Sequence, residues 1–274
     1  MFKIIITALL IFIGMVGYDN ITDKAQPTTP VQQEQQKVSK HEKSAAMALF
    51  TSLLPPKEEW PSPVHKFYLA FNMDEVIDPI RQNPNWTGLD AMSRDIPQAL
   101  IAIEDHAFYN HGAIAVEGIL RAALANINAG EVVQGGSTLT QQFVKNVFLS
   151  HEQSMERKIE EAMLSLMLED NYSKDEILEL YLNTTYFGAG STGIKQASRT
   201  YFGKAPSALT LAEAAVIASL PYAPTSLNPL ENPEGCKKRQ LLVLAAMHKY
   251  GMINQGQLAE AKAEKIRLTN GTVM

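Results

Sequence analysis

The sequence predicts a mainly α-helical domain set behind an N-terminal apolar segment and a polar tether. Three observations lead there. From about Ile96 onward, apolar residues recur at i, i+3 and i+4, the spacing of one helix face. Two capping boxes, Ser173-Lys-Asp-Glu176 and Thr210-Leu-Ala-Glu213, mark helix starts. Strand signals are thin, and Lys66 to Phe71 is the best of them.

The chain opens with Met1-Phe2-Lys3 and an apolar run from Ile4 to Val16, interrupted by Thr7 and Gly14. Such a run is short for a spanning helix of ~20 residues and suits a signal-peptide core. Val16-Gly17-Tyr18 is a poor cleavage site, and no cysteine follows to carry a lipid. Residues 1–18 are therefore read as a membrane anchor or signal segment, with a buried helix as the remaining alternative. In the first two cases Lys3 stays on the cytoplasmic side and the body of the protein is exported. Residues 19–59, with Gln26, Gln32, Gln33, Gln35 and Gln36 among prolines and charges, read as a flexible linker. Residues 60–270 form the folded domain.

Within that domain the pattern gives the helices in order. Ala99 to Ile103 is helix-like. Ile114, Ile119, Ala123, Leu124 and Ile127 form an apolar stripe that closes at Gly130. Ser137 to Leu149 follows Gly135-Gly136. A helix from about Met155 to Glu169 is expected to bury Met155, Ile159, Ala162, Met163 and Leu166. The helix behind Ser173 carries Ile177, Leu178, Tyr181 and Leu182, and the one behind Thr210 stops near Pro221. The last strong helix covers about Lys237 to Tyr250 and ends at Gly251, a C′ glycine.

Composition excludes several classes. Of 274 residues, 46% are hydrophobic and 19% charged, enough apolar material for a real core. The net charge of −5 argues against a nucleic-acid partner. The single cysteine, Cys236, rules out an internal disulfide and the Cys-rich zinc sites. There is no P-loop, no G-x-S-x-G elbow and no Ser-x-x-Lys.

Three constellations remain. Glu104-Asp105-His106 and His111-Gly112 follow an apolar stretch; a carboxylate at the edge of apolar packing has a raised pKa and suits acid–base work, though a surface pair ending a helix reads the same way. Gly135-Gly136-Ser137-Thr138 precede a helix with Lys145 two turns in, a start that exposes backbone N–H groups to an anion or serves as an ordinary N-cap. Arg157, Lys158 and Glu161 share one helical face at i, i+3 and i+4. Two cations and a carboxylate there suit a phosphate-bearing group, or form a solvated ion-pair face.

Taken in order, these segments resemble the peptidoglycan glycosyltransferase (transglycosylase) family in its monofunctional form, similar to the glycosyltransferase domain of class A penicillin-binding proteins. The resemblance rests on five stretches across about residues 95–250. They are Glu104-Asp105 with Phe108 and His111-Gly112, Gly136-Ser-Thr-Leu-Thr-Gln-Gln142, Arg157-Lys158-x-x-Glu161, Lys174 to Asn183, and Arg199-x-Tyr201-Phe202-Gly-Lys204 leading to Leu209–Ala215. It implies a lysozyme-like, two-lobed helical domain with a membrane-facing jaw. It implies polymerisation of lipid II into β-1,4-linked glycan strands, with inversion and release of undecaprenyl pyrophosphate. Glu104 is implied as general base, and Glu161 as a second catalytic carboxylate that orients the donor or holds a divalent cation. Lys145, Arg157 and Lys158 are implied to hold the pyrophosphate, and Ser137, Thr138, Gln141, Gln142 and Asn146 to line the donor side. No cofactor is required on this reading, and Mg or Mn at Glu161 is the one metal it allows.

The implied setting is the bacterial inner membrane, single-pass, with the domain on the periplasmic or extracellular side. The implied partners are lipid II, the growing strand, the membrane and other cell-wall synthesis proteins, without nucleic acid. One cleft should hold Glu104 and Glu161, with Lys145 and Arg157 nearby. Three positions depart from the family pattern: Ala107 and Gln153, where cations are usual, and Ala115, where an Asp is common. The departures keep an alternative open, a catalytically weakened lipid II- or glycan-binding accessory protein of the same fold. A lysozyme-like glycan-cleaving enzyme is a third reading, opposed by Arg157 and Lys158, which hydrolysis does not need.

Overall fold

The computed structural model describes residues 68–69, 72–129, 135–149 and 154–274. The compact unit spans Lys66–Met274. Ten α-helices follow one another among the described residues: α1 (Asp74–Arg81), α2 (Asp95–Glu104), α3 (Val116–Ala129), α4 (Leu139–Phe148), α5 (Met155–Asn171), α6 (Lys174–Thr184), α7 (Ile194–Phe202), α8 (Leu211–Ser219), α9 (Pro233–Lys249) and α10 (Gln255–Ala263). Short 3₁₀ turns lie at Leu89–Ala91, Phe108–Asn110 and Pro206–Ala208. No strand forms among the described residues; Tyr186–Thr192 and Arg267–Val273 are isolated bridges. Tyr68 and Leu69 are helical, so the strand expected around Lys66 to Phe71 is not there. The apolar segment at residues 1–18, the linker and Gln153 lie outside the described residues.

Helix α8 is the centre. It is rich in alanine, every residue from Ala212 to Leu220 is buried, and α2 and α9 pack against it. Small side chains let three helices approach closely, and the larger Leu100, Val243, Leu244 and Met247 fill the space between them. A second group joins α4 to α5 and α6, with Phe143, Val144, Leu168, Ile177 and Leu178 buried. Cys236 on α9 is fully buried, with its Sγ 3.8 Å from Ser219 Oγ. Burial pushes its thiol up to about 11.

The caps fall where hydroxyls and carboxylates recur. Ser173 with Glu176 and Thr210 with Glu213 are complete capping boxes. Thr138 with Gln141 is a third, starting α4 two residues after Ser137 is reached rather than at it. Helix α9 begins at Pro233, before the expected Lys237, because Asn232 caps it and proline fits the first turn. It ends as expected, with Gly251 at a φ of +73°. Gly188 is fixed by space as well as by its φ of +87°: a Cβ there would lie 2.3 Å from Pro224 O. Asn183 anchors the early part of the unit. Its side-chain amide donates to Thr87 O at 2.9 Å and Glu179 O at 2.8 Å, and accepts from Thr87 N at 2.9 Å.

One helix departs from the expected burial, and a second carries its apolar stripe outward. In α5, Met155 is 75% exposed and Ile159 58%, while Ala162, Met163 and Leu166 are half-buried. The inward face carries Glu161, Leu164, Ser165 and Leu168. In α3, Val116, Leu120, Leu124 and Ile127 are exposed, and Ile119 is 44% exposed. The periodicity gave both helices correctly. It does not say whether an apolar stripe meets the core or the outside, and here it lies outside.

Candidate active site

Glu104 is the last residue of α2, and Asp105 leaves the helix with φ −156° and ψ 70°. The packing of α2 on α8 therefore delivers a carboxylate to the edge of the core. Glu104 Oε2 accepts a 3.0 Å hydrogen bond from Gln142 Nε2 on α4. Gln142 Oε1 in turn accepts a 3.0 Å bond from the hydroxyl of Tyr181 on α6, a fully buried residue. The Glu104 carboxyl lies above the ordinary carboxylate value. Burial is the main cause, and Asp105 adds to it. The Gln142 bond and the positive charges of Arg239 and Lys145 oppose it.

Asp105 ties the turn after α2 to the start of α4. Its Oδ1 lies 2.6 Å from His111 Nε2, and its Oδ2 accepts from Leu139 N at 3.0 Å. His111 Nδ1 is 2.7 Å from Gly112 O, so both ring nitrogens face acceptors. Burial pulls the His111 pKa down, but the Asp105 and Gly112 hydrogen bonds outweigh it, and the net shift is upward.

The next cluster is built on α5. Glu161 is 2% exposed. Its Oε2 receives Arg157 Nη1 at 3.3 Å, and its Oε1 is bound by Lys158 Nζ. Lys158 Nζ also donates to Ser137 Oγ at 3.2 Å, which joins this cluster to the glycine-led start of α4. Arg157 Nε is buried and has no partner among the described residues.

A cavity of about 430 Å³ opens between these groups, lined by Glu104, Asp105, His106, Arg121, Ser137 and Tyr250 among others. Glu104 and Ser137 lie on it. Glu161 is not among the residues that line it. Its oxygens turn onto Arg157 and Lys158, and Lys158 links it to Ser137 on the cavity edge. Lys145 and Asn146 are exposed on α4, and the Lys145 charge is felt at Glu104. Thr138 and Gln141 are buried in the α4 cap; the Thr138 hydroxyl donates to Ala113 O, and the Gln141 amide oxygen accepts from Thr138 N. Thr138 also lines the cavity. No group of three or more His, Cys, Asp or Glu able to hold a metal occurs among the described residues. With both Glu161 oxygens bound by cations, that carboxylate does not fit a divalent ion either.

Sequence reasoning missed Arg239, whose charge acts on Glu104 from α9. Its guanidinium carbon lies 4.0 Å from the Tyr222 ring centroid, and its Nε is buried without a partner among the described residues. The basic run Lys237-Lys238-Arg239 was a usable signal. Sequence reasoning also missed Arg121 and Tyr250 as cavity residues.

Comparison with known proteins gives the family of the chain. The transglycosylase family model matches residues 73–248. A Cupriavidus necator protein named "putative transglycosylase" is 41% identical over 194 residues, covering 71% of this chain and 84% of that protein. Penicillin-binding protein 1A of Neisseria flavescens is 44% identical over 185 residues, 68% of this chain and 23% of that protein. Penicillin-binding protein 2D of Bacillus subtilis is 44% identical over 181 residues, 66% of this chain and 26% of that protein. The chain thus spans about a quarter of the length of these penicillin-binding proteins. It belongs to the transglycosylase family.

Proposed function

We propose that the protein is a peptidoglycan glycosyltransferase that polymerises lipid II into β-1,4-linked glycan strands. The observation that carries the reading is a largely buried carboxylate, Glu104, on a cavity that also holds Arg121 and Ser137, with Lys158 bonded to that serine. A sugar hydroxyl is a poor nucleophile near pH 7 and needs a base. Glu104, held by Gln142, takes the proton from the 4-hydroxyl of the incoming sugar. That oxygen attacks C1 of the donor sugar, and the C1–O bond to pyrophosphate breaks. The bonding pair leaves with undecaprenyl pyrophosphate. Lys145, Arg157 and Lys158 stabilise the charge that develops on the leaving group. One base and one direct displacement invert the anomeric centre, from α-linked donor to β-linked product. Glu161 acts by fixing Arg157 and Lys158 in place.

The substrate carries a lipid, and the outward faces of α3 and α5 suit a lipid surface. Val116, Leu120, Leu124 and Ile127 recur at i+4, i+8 and i+11 on α3, with Met155 and Ile159 on α5, all exposed. On this reading these helices form the membrane-facing jaw of a lysozyme-like, two-lobed domain. No helix among the described residues is long and apolar enough to cross a membrane. Anchoring by residues 1–18, the linker at 19–59, a periplasmic or extracellular domain at 60–270 and cell-wall synthesis partners complete the proposal.

The test is incubation of the purified protein with lipid II, beside Glu104→Gln. Wild type alone is expected to yield long strands, the variant losing about 10²–10⁴-fold in rate. Binding of lipid II without strands from either protein would instead favour the accessory-binding reading.

A further inference from the structure

One wall of the cavity has no role in the proton and pyrophosphate chemistry. His106 leads the turn after α2, and Tyr250 is the residue that ends α9. Their rings lie 14° from parallel, with centroids 4.2 Å apart, and both line the cavity that holds Glu104. The stack fixes the plane of His106, which a lone side chain on a turn would not do. It presents a flat, weakly polar surface on the cavity that holds the carboxylate base.

The surroundings of His106 are cationic. Arg121 faces it from α3, Lys249 from α9 and His111 from its own turn; Asp105 is the acid that acts on it, while Glu104 and Glu117 line the same cavity. Burial and then Arg121 pull the His106 pKa below its ordinary value, and Asp105 does not make this up. The ring is therefore neutral near pH 7, with one nitrogen donating and the other accepting. Neither nitrogen has a hydrogen bond to another described residue.

We infer that the His106–Tyr250 pair is a sugar-positioning wall: the C–H face of a hexosamine ring packs on the stacked rings while an imidazole nitrogen of His106 binds one of its hydroxyls. The inference rests on the proposed glycosyl transfer and assigns two residues that orient the acceptor sugar beside Glu104. A neutral, flat ring favours a sugar face over a phosphate. The phosphate has Lys158, Arg157 and Arg121 to choose from, each a permanent cation and a better partner. Pockets of this size hold ligands larger than one pyranose, so the ring has room.

The probe is a soluble GlcNAc–MurNAc disaccharide with no phosphate, titrated into the full chain by calorimetry, with lipid II turnover followed in parallel. Tyr250→Ala and His106→Ala are each expected to weaken disaccharide binding about five- to tenfold. Tyr250→Phe keeps the stack and should bind like wild type. His106→Phe keeps the stack without the nitrogen and should lose about threefold. Affinity for wild type should fall as the pH drops and His106 takes up a proton, losing its acceptor; in His106→Phe that fall should be absent. A merely structural role would not give this pH dependence or this rescue pattern. Disaccharide binding indifferent to both alanine variants, alongside normal lipid II turnover, overturns the wall and leaves the reaction standing. Binding that depends on both residues in a protein that makes no strands supports the wall and removes the reaction.

Discussion

Gln142 holds Glu104 through a single 3.0 Å hydrogen bond, and its own carbonyl is held at 3.0 Å by Tyr181. The donor steadies the ionised form of a carboxylate that burial pushes the other way. A base must be ionised to act, so the rate falls as pH drops through the raised Glu104 pKa. Gln142→Ala removes a stabilising bond and moves that acid limb to higher pH. Tyr181→Phe frees the Gln142 amide and moves it the same way, but less. Turnover against pH for the three proteins checks both shifts; an unmoved limb in Gln142→Ala would show that another group sets it.

The same carboxylate lowers stability. In the unfolded chain Glu104 titrates near the ordinary carboxylate value; in the fold it titrates above it, mainly through burial. The folded state therefore holds the proton more tightly than the unfolded one. Stability falls as pH rises through the ordinary value and reaches its floor above the raised one. Glu104→Gln, neutral throughout, should melt higher than wild type at pH 8, and the gap should close below about pH 4, under both values. Thermal melts across that range give the answer directly.

Glu161 is a buried partner to two cations, one of them only half exposed to water. Glu161→Ala leaves Arg157 without its carboxylate while Lys158 can still reach solvent. The expected loss is about 1–3 kcal/mol, less than for a fully enclosed pair. Denaturant unfolding measures it. Replacing Arg157 and Lys158 together with methionine, alongside Glu161→Leu, should restore most of the stability and none of the turnover.

The outward stripe on α3 predicts a loss of lipid binding without a loss of fold. Leu120→Glu and Ile127→Glu change exposed positions, so melting should move little. Each should weaken sedimentation with anionic phospholipid vesicles about tenfold, in a chain lacking residues 1–18. Equal sedimentation of both variants would remove α3 from the lipid contact.

Helix starts were legible because their chemistry is local. Ser173 with Glu176 and Thr210 with Glu213 need only each other. The start of α9 was placed late because the apolar pattern was read ahead of the Asn232-Pro233 cap. The facing of α5 was not legible at all. Spacing sets which residues share a side, while the neighbours decide which side is inside, and here Glu161 took the place expected for Met155 and Ile159. At the site, the approach of Glu104, Gln142, Ser137 and Lys158 agrees with the order of the motifs. Gln141 also serves the start of α4, a role that a capping box gives in sequence. Arg239 and Tyr250 come from far along the chain and Arg121 from α3, and only the fold brings the last two to the cavity and the charge of the first to bear on Glu104.

The burial of Cys236 has a practical consequence for these experiments. Its thiol is enclosed against Ser219 and is pushed up to about 11, so very little thiolate forms at pH 7. The chain is therefore silent toward maleimide and nitroxide reagents in its folded state. A cysteine placed at Ile127 or Tyr109 would take a spin or fluorescent label at one site with no need to remove the native one. Such a label on α3 would read immersion depth in a bilayer directly, and one on the Tyr109 turn would report arrival of the substrate beside Glu104.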